Sequence, residues 1–308
     1  MTAARRYRIE HRTVYSYSSV VTGSFGRGYL TPRDLAHQRC VSHRVVVDPE
    51  PEDQSSGTDV YGNIDSYFHV LSEHERLVVT GESIVEVDPP EPGWYSEGAA
   101  AVPWESARPS RTHGPLAAEF ALDLEPPEIT SAVAEYAAES FTPGRPLGAA
   151  IGELCSRIYA DFTYRSGSTT VSTKVADVFA AKEGVCQDFA RLALACVRSV
   201  GLAGQYVSGY LATDPPPGRE RMVGVDATHA WARVWAPNDH WLAFDPTNDQ
   251  FVDERYVTVA WGRDYADVPP LRGIIYTDST EAGIAVSVDV APLPPGLPTE
   301  GVIESPIG

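Results

Sequence analysis

Apolar and polar residues alternate along the opening of the chain. Tyr7, Ile9, His11, Thr13, Tyr15 and Tyr17 fall on one side of a two-residue period, with Arg6, Arg8, Glu10 and Arg12 on the other. That period predicts a β-strand. Further β-rich runs occupy 40–48, 63–71 and 75–88, the second just after the turn residues Tyr61, Gly62 and Asn63. Short strands separated by turns over residues 1–90 predict an all-β, sandwich-like N-terminal domain. A proline-rich stretch at 91–127 then breaks regular structure and reads as a linker or covering segment. Helical spacing follows at 128–141, 147–162 and 173–184; in the second, Leu147, Ile151, Leu154, Cys155 and Ile158 make one stripe. A fourth helix starts at Cys186. Phe189, Leu192, Ala193, Cys196, Val197 and Val200 form its apolar stripe, Arg191 and Arg198 fall off it, and Gly201 stops it. Strand patterns return at 204–213, 228–236 and 240–248, and a clean alternation at 283–292 predicts one more. The expected class is α+β, with a core over 128–292 and a disordered, proline-rich tail at 293–308.

Composition narrows the functions this fold could serve. Apolar residues make up 43% and aromatics 10%, which is globular rather than disordered. Twenty-four basic against 42 acidic residues give a net charge of −18. Nucleic acid and anionic membranes, which need a positive face, are therefore not expected partners. Arg5, Arg6, Arg8 and Arg12 cluster locally, as expected of a solvated strand face. The opening residues lack the apolar core of a signal peptide, and no run of about 18 apolar residues occurs, so a cytoplasmic location is expected. Cys40, Cys155, Cys186 and Cys196 contain no CxxC pair, and the eight histidines show no HExxH spacing. No disulfide framework, metal or other cofactor is expected.

Two of the cysteines share the fourth helix but differ in position. Cys196 lies mid-helix on the buried stripe and reads as core, as does Cys155. Cys186 stands at the helix start, where unpaired N–H groups and the macrodipole favour a negative charge. The segment THAWARVWAPNDHWLAFDP (228–246) reads as a hairpin turning at Pro237, Asn238 and Asp239. A turn centred on residue 237 sets His229 directly opposite Asp245, close enough for a carboxylate to accept an imidazole N–H. Both share the odd-numbered face with Trp231, Arg233, Trp235, Trp241 and Ala243, and a one-residue slip would separate them. A thiol, a base and a carboxylate that orients the base are what acyl transfer through a thioester requires. An ordinary sheet histidine and an aspartate opening an Asp-Pro turn are the competing readings.

Three stretches, GVCQDFARLALACVRSVGLAGQYVSGYL, DATHAWARVWAPNDHWLAFDPTND and WGRDYADVPPLRG, resemble the bacterial transglutaminase-like superfamily of papain-type cysteine enzymes. YRIEHRTVYSY and LTPRD (30–34) resemble that family's β-rich N-terminal region. The resemblance implies Cys186 as nucleophile, His229 as base and Asp245 as orienter, on a papain-like core whose nucleophile helix packs on an antiparallel sheet. It further implies a protease or amidase acting on a peptide or protein amide, and a functional link to an ATP-grasp-type ligase. Protein-glutamine transglutaminase and a non-catalytic binding module are the alternatives. Arg191 stands where family members commonly carry histidine, and its off-stripe position predicts an outward side chain remote from the chemistry. The backbone N–H of Cys186 is the expected first oxyanion donor, with Tyr164 or Gln187 as the second. Tyr164 also reads as a core aromatic, and Trp231 as either a cleft wall or sheet core.

Overall fold

A computed structural model describes residues 4–213, 228–277 and 282–294. The polar, proline-rich stretch at 214–226, expected from its sequence to be a loop, and nearly all of the tail expected to be disordered lie outside these residues. Five strands open the chain: β1 (Arg5–Gly28), β2 (Gln38–Asp48), β3 (Asp53–Thr58), β4 (Ile64–Val70) and β5 (His74–Val87). They form a sheet in the order β2-β5-β1-β4-β3. Strand β1 is long enough to serve two halves of it. Residues up to Ser16 pair with β5, the register shifts before Val21, and Ser24–Gly28 pair with β4. Residues of both halves, including Tyr17, Val21, Phe68, Val70, Leu77 and Val79, pack into one cluster, so the sheet encloses apolar side chains as a sandwich would.

The 91–127 segment has short helical turns at Gly98–Ala100, Trp104–Ala107 and Ala118–Ala121. Its Phe120 packs with Ala203 and Trp235, and the Arg108 Nε–H donates to the Val200 carbonyl at 2.8 Å. The core then contains α1 (Ser131–Ser140), α2 (Leu147–Asp161), β6 (Thr163–Tyr164), α3 (Val175–Ala181), β7 (Glu183–Gly184) and α4 (Cys186–Ser199). It continues with β8 (Gly204–Leu211), β9 (Thr228–Ala236), β10 (His240–Asp245), β11 (Gln250–Phe251) and β12 (Tyr256–Gly262). These five strands form an antiparallel sheet in the order β11-β10-β9-β8-β12. Small residues Ala230, Ala232 and Ala236 on β9 share the main apolar cluster with Phe189, Ala193 and Val197 of α4.

The last two strands, β13 (Arg272–Thr277) and β14 (Ala282–Leu293), differ from expectation in their partner. The alternation at 283–292 does mark a strand. It pairs with β1, Ile9 facing Val290 and His11 facing Val288, and so belongs to the N-terminal sheet rather than the core sheet. A two-residue period defines a strand and its faces but carries no information about a neighbour nearly 280 residues away.

A second difference concerns α4. Every residue from Asp188 to Arg198 is buried. Arg191, expected to point outward, donates to Asp264 Oδ1 at 2.8 Å, Glu128 Oε1 at 3.2 Å and the Thr173 carbonyl at 2.5 Å. Arg198 donates to the carbonyls of Phe120, Gly204 and Arg263. Helices α1 and α3 cover the face that faced away from the sheet. Periodicity locates the most apolar face but cannot tell whether the other is also covered.

The N-terminal sheet and the core are joined along β12, which among the described residues is an edge strand with β8 on one side only. The Gln38 amide pairs with both the N–H and the C=O of Thr258, each at 2.8 Å. The Asn63 amide does the same for Trp261, at 2.8 and 2.9 Å. Two side-chain amides thus satisfy an edge that would otherwise present unpaired backbone groups. The LTPRD motif sits at this joint: Arg33 stacks on the Trp261 ring at 3.5 Å and its N–H donates to Thr258 O at 3.1 Å. Tyr7, Ile9, Val288 and Val290 belong to the same apolar cluster as the core helices. Among the described residues, no helix is long and apolar enough to cross a membrane.

Removing Arg191 would leave the buried Glu128 and the partly buried Asp264 without their cation. Arg191→Ala is expected to cost about 3–5 kcal/mol of folding stability, read by urea denaturation. A loss below about 1 kcal/mol would show that this network does not hold α4 in place.

Candidate active site

Helix α4 begins at Cys186 because Val185 is extended and Asp188 closes the turn. The Asp188 carboxylate accepts the Val185 N–H at 2.9 Å and the Thr169 hydroxyl at 2.6 Å. Gly184 admits this carboxylate: a Cβ there would stand 2.9 Å from Asp188 Cβ. The helix N-terminus therefore reaches Cys186 with its first N–H groups unused by the helix. The Cys186 side chain is partly exposed, whereas Cys155 and Cys196 are buried. Burial pushes the Cys196 thiol up to about 12, the Cys40 thiol up to about 11, and the Cys155 thiol up as well.

His229 lies near the start of β9 and Asp245 at the end of β10. The imidazole Nε2 is 2.7 Å from Asp245 Oδ2. The Cys186 side chain lies close enough to His229 to raise the imidazole's pKa. Burial works against the charged imidazolium. The hydrogen bond to Asp245 and the closeness of Cys186, with the negative charge of both, outweigh it and push the pKa up to about 10.

The hairpin register differs from expectation by two residues. Ala236 pairs with His240 and Phe244 with Ala232, so the turn centres on Asn238 and Asp245 falls opposite Trp231. Asn238 and Asp239 both take positive φ, 65° and 56°, as a tight hairpin turn requires. A shift of two preserves the face of every side chain. His229 and Asp245 therefore meet on the diagonal rather than directly across.

Asp245 has no exposed surface. Its Oδ2 accepts from His229, from the Asn248 amide at 2.6 Å and from the Tyr256 hydroxyl at 2.7 Å; its Oδ1 accepts the Thr247 N–H at 2.9 Å. Burial alone would raise the carboxyl pKa, but the donors and the histidine charge hold it below its ordinary value. From beneath, the Cys155 thiol donates to the Asp245 carbonyl at 3.2 Å.

The other predicted residues occupy different positions. Tyr164 pairs with Gly184 across the short parallel β6–β7 ladder, which brings it to the helix start with 55% of its surface exposed. Burial, and then the charge of Cys186, raise its pKa. Gln187 is the second residue of α4 and partly buried. Trp231 is 1% exposed; it lies 6.2 Å from the His229 ring and 5.3 Å from that of Tyr256, measured between centroids. It backs the imidazole from inside the sheet and has no surface with which to wall a cleft.

Sequence reading missed Asn248, Tyr206 and Tyr256. Asn248 was within reach, since an amide three residues after an Asp-Pro pair is a common turn partner. Tyr206 is buried on β8, and its pKa is raised by burial and then by the charge of Cys186. Nothing local signals it or Tyr256. Among the described residues, no three His, Cys, Asp or Glu side chains cluster as a metal would require.

Comparison with known proteins gives the same outline. Residues 7–86 match the bacterial transglutaminase-like N-terminal region, and residues 134–246 match the transglutaminase-like superfamily. A Mycobacterium tuberculosis relative, described only as an uncharacterized protein, is 63% identical over 95% of this chain and 94% of its own. A Mycobacterium leprae relative with the same description is 33% identical over 94% of this chain and 99% of its own. Among solved structures, a candidate cysteine protease from Cytophaga hutchinsonii superposes with a TM-score of 0.69 at 16% identity. It covers 94% of this chain and 98% of that one, and shows a shared fold.

Brief treatment of the folded protein with iodoacetamide should label Cys186 ahead of Cys40, Cys155 and Cys196, as mapped by mass spectrometry. Preferential labelling of Cys40 would contradict the assignment. The ion pair also predicts a pH dependence of stability. His229 titrates above its ordinary 6.5, so its contribution is complete below pH 6.5 and lost as pH rises through about 10. Asp245 titrates below its ordinary value, so its contribution is lost as pH falls through that depressed pKa. The melting-temperature gap between wild type and His229→Gln should therefore shrink as pH climbs toward about 10. A gap that stays constant over that range would mean that His229 carries no such charge.

Proposed function

Because the chain belongs to the transglutaminase-like superfamily, we propose that it is a cysteine-dependent hydrolase of amide or peptide bonds. The observation that carries the reading is the placement of His229, bound through Nε2 to a buried carboxylate 2.7 Å away and set beside the side chain of Cys186 at a helix N-terminus. With Nε2–H given to Asp245, Nδ1 is the nitrogen that holds the proton taken from Cys186. The thiolate sulfur attacks the amide carbon, and the carbonyl electrons move onto oxygen. The backbone N–H of Cys186 meets that oxyanion, with Gln187 or Tyr164 as the second donor. As the intermediate collapses, the C–N bond breaks and His229 returns the proton to the leaving amine, giving a thioester. Water, deprotonated by His229, then cleaves the thioester to release the acid and restore the thiol.

Asp245 holds one tautomer and stabilises the imidazolium formed at each step. A module that only binds has no use for a carboxylate sealed from water, met by four donors and aimed at a histidine beside a thiol. Hydrolysis is favoured over transfer to an amine because Cys186 and Tyr164 both stand partly in solvent, where water is the abundant acceptor.

Cys186→Ala should abolish turnover of peptide and isopeptide amides, and Asp245→Asn should lower kcat by roughly 10²–10⁴-fold. Product partitioning on a glutamine-containing peptide, with and without excess primary amine, decides the acceptor. Hydrolysis should dominate and persist in EDTA. Amine adducts exceeding hydrolysis, or activity lost in EDTA and restored by calcium, would establish the transglutaminase reading instead.

A further inference from the structure

The hydrogen bond from Tyr256 to Asp245 has a fixed direction. The Gln250 amide N–H donates to the Tyr256 oxygen, so the phenol proton is free to go only to Asp245. The Gln250 carbonyl oxygen in turn accepts from Arg255 Nη2 at 2.8 Å, which settles the orientation of that amide. Three polar groups in series therefore deliver a donor to the carboxylate.

Tyr256 is the first residue of β12, and β12 is held from outside the core. Among the described residues of the core sheet it pairs with β8 alone, through a ladder whose register shifts between Thr258 and Ala260. A bulged edge strand can bend or slip unless its outer side is fixed. Here the outer side is fixed by the N-terminal unit at several places, the Arg33 N–H on Thr258 O among them. Tyr7 Oη donates to the Glu254 carbonyl at 3.1 Å, Gln38 pairs with Thr258, and Asn63 pairs with Trp261. Gln38 is the middle one of these contacts along the chain that it meets. It is 3% exposed, and its Nε2 also donates to the Arg33 carbonyl at 2.8 Å, which anchors it to its own side of the joint.

We propose that the N-terminal β unit positions the catalytic residues: Gln38 fixes β12 at Thr258, β12 sets the Tyr256 hydroxyl on Asp245, and Asp245 orients His229. Gln38 and Tyr256 are positioning residues and touch no substrate. The proposal rests on the acyl-transfer reading of Cys186, His229 and Asp245. It gives the N-terminal sheet a part in the chemistry that needs no substrate contact of its own.

The charged and titratable groups around Asp245 fix the sign of the effect. His229, with Cys186 beyond it, faces the carboxylate from one side and Tyr256 from another; Cys155 lies beneath, and Asp249 and Asp253 are more distant carboxylates. Removing the tyrosine donor takes away one of the hydrogen bonds that keep Asp245 ionised. Asp245 then protonates at higher pH, and the imidazolium loses its support sooner on acidification.

The test is the pH profile of Cys186 alkylation by iodoacetamide in the full chain, which needs no substrate, together with kcat and KM on a peptide amide. Tyr256→Phe should move the acid limb of the profile up by about one pH unit and lower kcat about tenfold, with KM little changed. Gln38→Met, which removes both contacts to Thr258, should shift the limb in the same direction by a smaller amount. The double variant should be no worse than Tyr256→Phe alone, because Gln38 acts through Tyr256. If Gln38→Met fails to fold, Gln38→Glu retains the acceptor for the Thr258 N–H and should give a partial shift. A lowered melting temperature with an unmoved limb, or additive effects in the double variant, would overturn the proposal alone. Absence of selective Cys186 labelling in the wild type would overturn the acyl-transfer reading and this proposal with it.

Discussion

A carboxylate with no contact with solvent stays ionised only if donors meet its lone pairs. Asp245 meets that condition by drawing a donor from each of several parts of the chain: His229 on β9, Thr247 and Asn248 in the turn that follows it, and Tyr256 on β12. These bonds are 2.6–2.9 Å long, which leaves little freedom in how the contributing strands and turn sit relative to one another. Trp231 fills the space under His229, and the Cys155 thiol of α2 occupies the Asp245 carbonyl. The orientation of the imidazole toward Cys186 is thus a consequence of how one buried charge is satisfied.

The same requirement governs α4. A helix buried on every side must place whatever polar side chains it carries against partners inside the protein. Arg191 and Arg198 do so by reaching Glu128 before α1, Asp264 and Arg263 after β12, and Phe120 in the covering segment. Segments far apart in the chain are tied to the helix that bears the nucleophile. Without those ties the N-terminus of α4 would have no fixed place beneath His229.

The N-terminal sheet takes part in this arrangement and is not a tethered module. Its inner face shares an apolar cluster with the helices, and its amides complete the outer edge of β12. Strand β14 returns from the far end of the chain to pair with β1, so both ends of the described chain are built into one sheet.

The amino-acid sequence alone determined what local physics can encode. Alternation located the strands, a 3.6-residue period located the helices, and Cys186 was legible as a helix-start thiol because Gly184 and the apolar stripe bracket it. His229 and Asp245 were legible as facing partners because a hairpin relates its strands through a short turn, and an error of two residues leaves every face unchanged. Tertiary structure decided the rest. Arg191 could not be placed because periodicity does not report whether a second layer covers a helix. Strand β14 could not be assigned to β1, nor Tyr256 to Asp245, since each contact joins segments whose local patterns are satisfied by many partners. Which partner is chosen depends on a packing in which the buried charges of Asp245, Arg191 and Arg198 all find hydrogen bonds at once, a condition no single stretch of sequence contains.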